Sequence, residues 1–269
     1  MRIYFGGIDL TGADYNLTAL SASMSLGSPR NVASQTTPHR PGGTAWLLGD
    51  DPRQISVQAA LWGDDEEQFR ARQDRLLNTL YAADLKSLRL DWLYPDRYWL
   101  VRLQNASPVS AFRQGLFAQF QLDFLAPDPH AFSITEFDET FTINSDPYQF
   151  ALQDDTSPAT PVGGSAPARP VYTITNTGTE ITGVTLENET TGDAIIWGGS
   201  LDQNDKLRLD VDRQLVEKST SGGATWSTVM APLNTGHVFP VLQALAVNEM
   251  KITGISSGSI QVVYRDRYL

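Results

Sequence analysis

Not one cysteine occurs among the 269 residues, which excludes disulfides and thiolate metal sites and leaves stability to packing alone. No apolar run approaches the ~20 residues of a membrane span. The first residues, Met1-Arg2-Ile3-Tyr4-Phe5-Gly6-Gly7, lack the apolar centre of a signal peptide, so synthesis in the cytoplasm without membrane insertion is expected. Positive charge is scarce: 20 Lys and Arg stand against 31 Asp and Glu, a formal net charge of -11. That balance disfavours a nucleic-acid-binding surface, which needs clustered cations. No glycine-rich phosphate loop is present. His39, His130 and His237 are far apart, without a second histidine at metal-ligand spacing, so neither metal nor cofactor is expected.

What the chain does hold, 41% hydrophobic and 10% aromatic residues, is globular composition. Its acidity is uneven. Residues 1–135 carry 12 Lys and Arg against 14 Asp and Glu, whereas residues 136–269 carry 8 against 17. Two bodies with different surfaces follow from that split, a first domain over 1–135 and a second over 136–269.

The single strong helical pattern lies at 64–83. It opens Asp64-Asp65-Glu66-Glu67, carboxylates placed where unpaired N–H groups and the helix dipole favour negative charge. Phe69, Leu76, Leu77, Leu80 and Tyr81 then recur at three- and four-residue steps as one apolar stripe. Before it, Ile55, Val57, Ala59 and Leu61 alternate with Gln54, Ser56, Gln58 and Ala60, the period of a strand. After it come runs at 87–93 and 97–103 joined by Tyr94-Pro95-Asp96, a turn signal because proline presets one dihedral and Asp bonds its own backbone. A last alternation runs over 116–125. The unit reads strand, helix, hairpin, strand.

Upstream, 2–5 and 15–26 read as strands. Residues 34–44, Ser-Gln-Thr-Thr-Pro-His-Arg-Pro-Gly-Gly-Thr, show no periodicity and are expected to be a mobile loop. Residues 146–170 are rich in proline and glycine and are expected to link the two domains or to be inserted there. Beyond them, short strand-like runs recur between glycine-rich turns, with Leu207, Leu209 and Val211 facing one way and Lys206, Arg208 and Asp210 the other. That is the pattern of a sandwich of two antiparallel sheets.

No residue set carries chemistry beyond what a plainer role explains. Gly254-Ile255-Ser256-Ser257-Gly258 has the G-x-S-x-G form of a hydrolase elbow, but strands flank it and no histidine follows His237, so a hairpin turn accounts for it. Asp210 and Asp212, about 6.8 Å apart along a strand, have the spacing of paired catalytic carboxylates. With Asp202 and Asp205 they are better explained by a solvated turn and a solvated strand face. Trp62, Trp92 and Trp99 fall in the first domain as packing residues, and Trp197 and Trp226 are left as candidate sugar platforms.

In order and local detail the chain resembles the distal tail protein family of long-tailed, non-contractile bacteriophages. The matching parts are the strand ending at 55–61, the acidic-capped helix with Leu76-Leu77 and the Arg97-Tyr98 hairpin. The closing Phe124-Leu125-Ala126-Pro127-Asp128-Pro129-His130-Ala131-Phe132 matches too. In the second half Gly199-Ser200-Leu201 leads to Asp205-Lys206-Leu207-Arg208-Leu209-Asp210, and Gly258-Ser259-Ile260-Gln261-Val262-Val263-Tyr264-Arg265 is similar to the family's last strand. Residues 146–170 are longer than the family pattern, and the histidine, asparagine, arginine and tryptophan set of sugar-binding galectins is not found.

The resemblance implies a mainly β protein. Its first domain would be a β-sandwich or split-barrel-like body with one α-helix and a β-hairpin arm, followed by a galectin-like antiparallel β-sandwich. It implies a structural protein of the virion, not an enzyme. Six copies would close into a ring that joins the tail tube protein to the tail-tip hub or baseplate, with DNA only passing through the lumen. Residues 96–103, with Arg97, Tyr98, Leu100 and Leu103, are expected at the ring interface as the arm. The loop with His39, Arg40, Gly42 and Gly43 is expected to face a neighbour or the lumen. The rival reading is a carbohydrate-binding module in which Trp197 or Trp226 contacts host sugars.

Overall fold

The computed structural model describes the chain apart from residues 26, 28, 29, 37–42, 113–115, 153–161 and 221, and for 33–36, 43–49 and 108–112 the backbone alone. Two compact units divide it: Met1–Phe132 with Leu269, and Ser133–Tyr268.

The first unit is built from β1 (Ile3–Phe5), β2 (Ile8–Asp9), β3 (Leu17–Met24), β4 (Arg30–Thr36), β5 (Gly43–Asp50) and β6 (Arg53–Trp62). After these come α1 (Glu66–Leu80), β7 (Lys86–Leu90), β8 (Arg97–Phe112) and β9 (Phe117–Ala126), with β10 (Ala131–Ser133) at its end. Seven strands lie in the order β2-β1-β7-β8-β9-β6-β3. Leu10 draws the sheet's ends together, since Leu10 N–H donates to Ile3 O and Leu17 N–H donates to Leu10 O. Strand alternation then sends Phe5, Leu17, Ile55, Val57, Leu88, Val101, Leu122 and Phe124 inward, where all are buried.

Helix α1 is shorter than the 64–83 pattern because Asp65 is its cap. The Asp65 backbone is extended and its carboxylate accepts the Gln68 N–H at 2.7 Å. Its buried face is Phe69, Leu76 and Leu80. Gly63 lets the helix start directly after β6, since a Cβ there would lie 2.6 Å from Phe69 Cβ.

The stretch expected to be a mobile loop is, at both its ends, strand. Residues 34–36 belong to β4 and 43–44 to β5, which pair from Arg30↔Asp50 to Thr36↔Gly43. Only the tip, with His39, Arg40 and Gly42, lies outside the described residues. Because β3 pairs with β6 up to Met24↔Ile55, the β4–β5 ladder continues that hairpin as a separate two-stranded ribbon. Proline and glycine crowd the tip, and they masked the strand-compatible Thr, Gln and Val on either side.

The second unit is a sandwich. One sheet holds β11 (Phe137–Ile143), β13 (Val171–Asn176), β16 (Lys206–Asp210), β17 (Leu215–Ser219), β18 (Ser227–Thr228) and β20 (Gly258–Tyr264), in the order β11-β20-β13-β16-β17-β18. The other holds β12 (Tyr148–Leu152), β14 (Ile181–Asn188), β15 (Asp193–Leu201) and β19 (Asn248–Thr253), in the order β12-β19-β14-β15. The short β21 (Arg267–Tyr268) ends the unit. Between the sheets lie Tyr172, Ile174, Leu186, Trp197, Leu207, Leu209, Met250 and Val262. The 146–170 segment belongs inside this unit and is no tether. It contributes β12, and Val162 and Ala168 are buried and exchange backbone bonds with Leu245, Ala246 and Leu242.

Candidate functional site

The four residues expected on an arm at 96–103 sit within the main sheet, where β7 pairs with Trp99, Leu100 and Val101 of β8. Strand alternation separates them. Tyr98 and Leu100 stand on the outer side, Tyr98 stacked on Phe132 at 5.7 Å, whereas Leu103 is 6% exposed and faces the unit's own interior. Arg97 lies against the Tyr94 ring, its Cζ 5.4 Å from the centroid. Leu103 is therefore packed in the core of its own unit, because odd positions of this strand point inward with Trp99 and Val101.

What leaves the sheet instead is the β4–β5 ribbon. Seven pairs at ~3.4 Å make it roughly 20 Å long. Arg30 and Asp50 face each other at its base, and from Asn31 to Thr36 and Gly43 to Gly49 it carries no charged residue while holding Val32, Trp46, Leu47 and Leu48. Beside its base, His130 is 2.7 Å from Asp128 and 3.6 Å from Asp50. A ribbon of two strands is marginal alone in water.

The outer side of β3, β6, β9 and β8 forms a second feature. Ser21, Gln58, Gln121 and Ser107 stand in one register row, and Ser23, Ser56, Asp123 and Asn105 in the next. Ser56 Oγ donates to Asp123 at 2.6 Å and Gln121 Nε2 at 3.0 Å, so this carboxylate is held by neutral donors. At one end the exposed Trp62 meets Phe117, ring centroids 4.3 Å apart. Arg102 borders the face at the other end, its Nη2 donating to Ala83 O. The pattern was legible as alternation in 54–61 and 116–125, but its assembly into one amide and hydroxyl face depends on strand order.

The sequence-level chemical candidates resolve into structure. Gly254 to Gly258 is the turn between β19 and β20, with Gly254 at φ +87°. Strand β16 ends at Asp210, which accepts the Arg213 N–H, while Asp212 pairs with Arg169 at 2.8 Å. Asp205 is not a solvated turn residue: it is buried and holds Lys218 Nζ at 2.8 Å. Trp197 is no sugar platform. It is 2% exposed, and its Nε1–H donates to Val229 O. Trp226 is partly exposed, with the Arg208 guanidinium 4.3 Å from its ring centroid. His237 lies by Asn234 O, and among the described residues no three His, Cys, Asp or Glu side chains gather as a metal site. A cavity of about 310 Å³ over β12 and β19 is lined by Gln149, Phe150, Glu189 and Glu249. Beside it the half-buried Lys251 ammonium is held above its ordinary pKa by its hydrogen bond to Glu189 and the charge of Glu187.

Compared by sequence, the chain matches no family model and no curated protein. Compared as a structure, it shares its mainly β fold with a solved phage protein. The likeness is to the crystal structure of the SPP1 Dit (gp 19.1) protein, described as a paradigm of the hub adsorption apparatus in phages infecting Gram-positive hosts. The TM-score is 0.76 at 16% identity, over 100% of this chain and 99% of that one. Chains of the phage P2 baseplate in its activated conformation, with Ca and with Sr, match at TM-scores of 0.49 and 0.47. Their identities are 10% and 11%, over 95% and 97% of this chain and 92% and 96% of theirs. Among the described residues no helix is long and apolar enough to cross a membrane.

Proposed function

We propose that this chain is a structural hub of a bacteriophage tail. Six copies form a ring that connects the tail tube protein to the tail-tip hub or baseplate and leaves a channel for DNA. The observation that carries the reading is a fold likeness running the whole length of both chains, at a TM-score of 0.76.

Physical features of the first unit support the assembly. A closed ring requires one patch to meet a different patch on the neighbour. The β4–β5 ribbon is suited to that part, because, outside the undescribed tip, its strands carry no charged residue between Arg30 and Asp50 and form a two-stranded sheet of their own. The amide and hydroxyl face of β3, β6, β9 and β8 is suited to the channel. Phosphate binding draws on clustered Lys and Arg, and the paired rows of that face hold none, so DNA passes without being retained. The protein is then a virion component assembled in the host cytoplasm, and its work is mechanical connection without catalysis.

Native mass spectrometry and negative-stain microscopy of the purified chain, alone and with the tail tube protein, test the reading. Six-fold rings under either condition are expected. A monomer that forms no ring even on tail tubes would overturn it.

A further inference from the structure

We propose that strand β12 of the second unit is a docking edge for an extended, lysine- or arginine-bearing segment of another protein, which joins the four-stranded sheet as a fifth strand. Among the described residues the sandwich has four sheet edges, β11, β18, β12 and β15, and three of them are guarded. Edge β15 is covered by the stretch 232–238, where Gly198 N–H donates to Pro232 O, Asn234 N–H to Ile196 O and Val238 N–H to Ala194 O. Edge β11 carries Asp138 and Glu139, and edge β18 is two residues long. Cover, charge and shortness are the ordinary means by which proteins keep sheet edges from pairing.

Strand β12 has none of these. Tyr148-Gln149-Phe150-Ala151-Leu152 holds neither charge nor proline, and it pairs with β19 from Tyr148↔Ile252 to Leu152↔Asn248 without a bulge. Alternate residues of an antiparallel edge turn their N–H and C=O groups away from the sheet, and among the described residues no further segment bonds those of 148–152. At ~3.4 Å per residue the edge is roughly 17 Å long, enough for a short strand to add by backbone pairing.

Charge selects the occupant. The cavity of about 310 Å³ beside this edge is lined by Gln149, Ala151, Glu189 and Glu249. Glu189 is already engaged, by Gln149 Nε2 at 3.0 Å and Lys251 Nζ at 3.4 Å. Glu249 is exposed, stands opposite Ala151, and has no cation within 4.0 Å among the described residues. A strand added beyond β12 lies two strand spacings from Glu249, about 9.6 Å, and the small Ala151 between them leaves the way open to a long cationic side chain. An acidic segment would instead meet the surplus of 17 Asp and Glu over 8 Lys and Arg in residues 136–269 and be repelled.

This edge belongs to the second unit, so it stands or falls independently of the hub reading. The test titrates the full-length protein, at low salt and by fluorescence anisotropy, into labelled seven-residue peptides that alternate valine or threonine with lysine or arginine. Saturable binding is expected. It should weaken about tenfold when the peptide cations are replaced by glutamate, when alternate peptide amides are N-methylated in either register, and when the protein carries Ala151→Lys or Glu249→Gln. Thr140→Lys, on the guarded edge β11, should leave it unchanged. No saturable binding, equal binding of the N-methylated peptides, or an equal loss in the Thr140→Lys and Ala151→Lys proteins would each overturn the proposal, the last by showing general charge attraction in place of a docking edge.

Discussion

The two units answer the same problem, a β-rich core without cysteine, in opposite ways. The second closes on itself. Its loops are tied to the sandwich by buried amides: Asn176 donates to Thr179 O, Leu201 O and Asp202 O. Asn188 donates to Val241 O and Asn248, and Asn248 in turn holds Gln243 and Ala246. Every bonded loop is one less surface seeking a partner. The first unit instead pairs β4 and β5 in a two-stranded sheet of their own and lines the outer side of its main sheet with amides and hydroxyls. Under the proposed ring, the contrast points to where assembly would start: at backbone pairing that ends in a ribbon rather than at apolar area alone.

Removing the ribbon should break that contrast most completely. Since Arg30 and Asp50 are already paired across the ladder, residues 31–49 can be exchanged for a two-residue Asn-Gly turn. The shortened chain is expected to stay folded and monomeric, with no rings in micrographs. Rings at wild-type yield would place the interface elsewhere.

Tryptophan substitutions sharpen the comparison next. Trp197→Ala removes a fully packed ring from the second core and should cost about 3–5 kcal/mol, read as a lowered midpoint in denaturant. Trp62→Ala, at a ring 47% exposed on the first unit, should leave the midpoint of the free chain nearly unchanged. The same change should impair ring formation if that end of the sheet meets a neighbour.

Arg53 separates the units in a different way. It is 2% exposed, and its Nε and Nη2 make no hydrogen bond among the described residues. Burial lowers its pKa below the usual guanidinium value, which means the fold disfavours the charge it carries at neutral pH. Arg53→Met keeps the length and removes the charge, and is expected to stabilise the chain by about 1–2 kcal/mol. Calorimetry would decide, and a loss of that size would mean the cation is needed in place.

Much of this could be read from local pattern. The helix cap at Asp65, the alternation of 54–61 and 116–125 and the short strands of the second half are all encoded within a few residues. The parts that were not legible depend on distant partners. The β4–β5 ribbon has little apolar alternation of its own, and β12 lies inside a segment whose prolines and glycines read as a tether. Leu103 looked like an arm residue because the turn at 94–96 was visible, whereas the continuation of β8 to Phe112 was set by pairing with β9. In the second unit Trp226 was visible as a ring, but Arg208 and Glu217 meet only through the β16–β17 register. Trp197 shows the reverse, a ring equally prominent in sequence that the core consumed.

The smallest expected effect concerns Tyr172, at the centre of the second unit. Its ring is fully buried and its hydroxyl donates to Pro240 O at 3.2 Å. Burial first, then the charges near Asp193 and Tyr264, raises its pKa well above the ordinary phenol value. The sign follows from linkage: above pH ~10 the unfolded chain releases this proton while the folded chain keeps it, so folding loses stability as pH rises. Below pH ~10 both states hold the proton and the contribution is fully present. At pH 11 the loss should reach about 1.4 kcal/mol for this one group. Tyr172→Phe gives up one hydrogen bond, about 1 kcal/mol at neutral pH, and should flatten the alkaline slope by that single proton. Denaturant midpoints of both proteins at pH 8 and pH 11 check it: parallel losses in the two would show that the phenol is not what makes the closed unit sensitive to base.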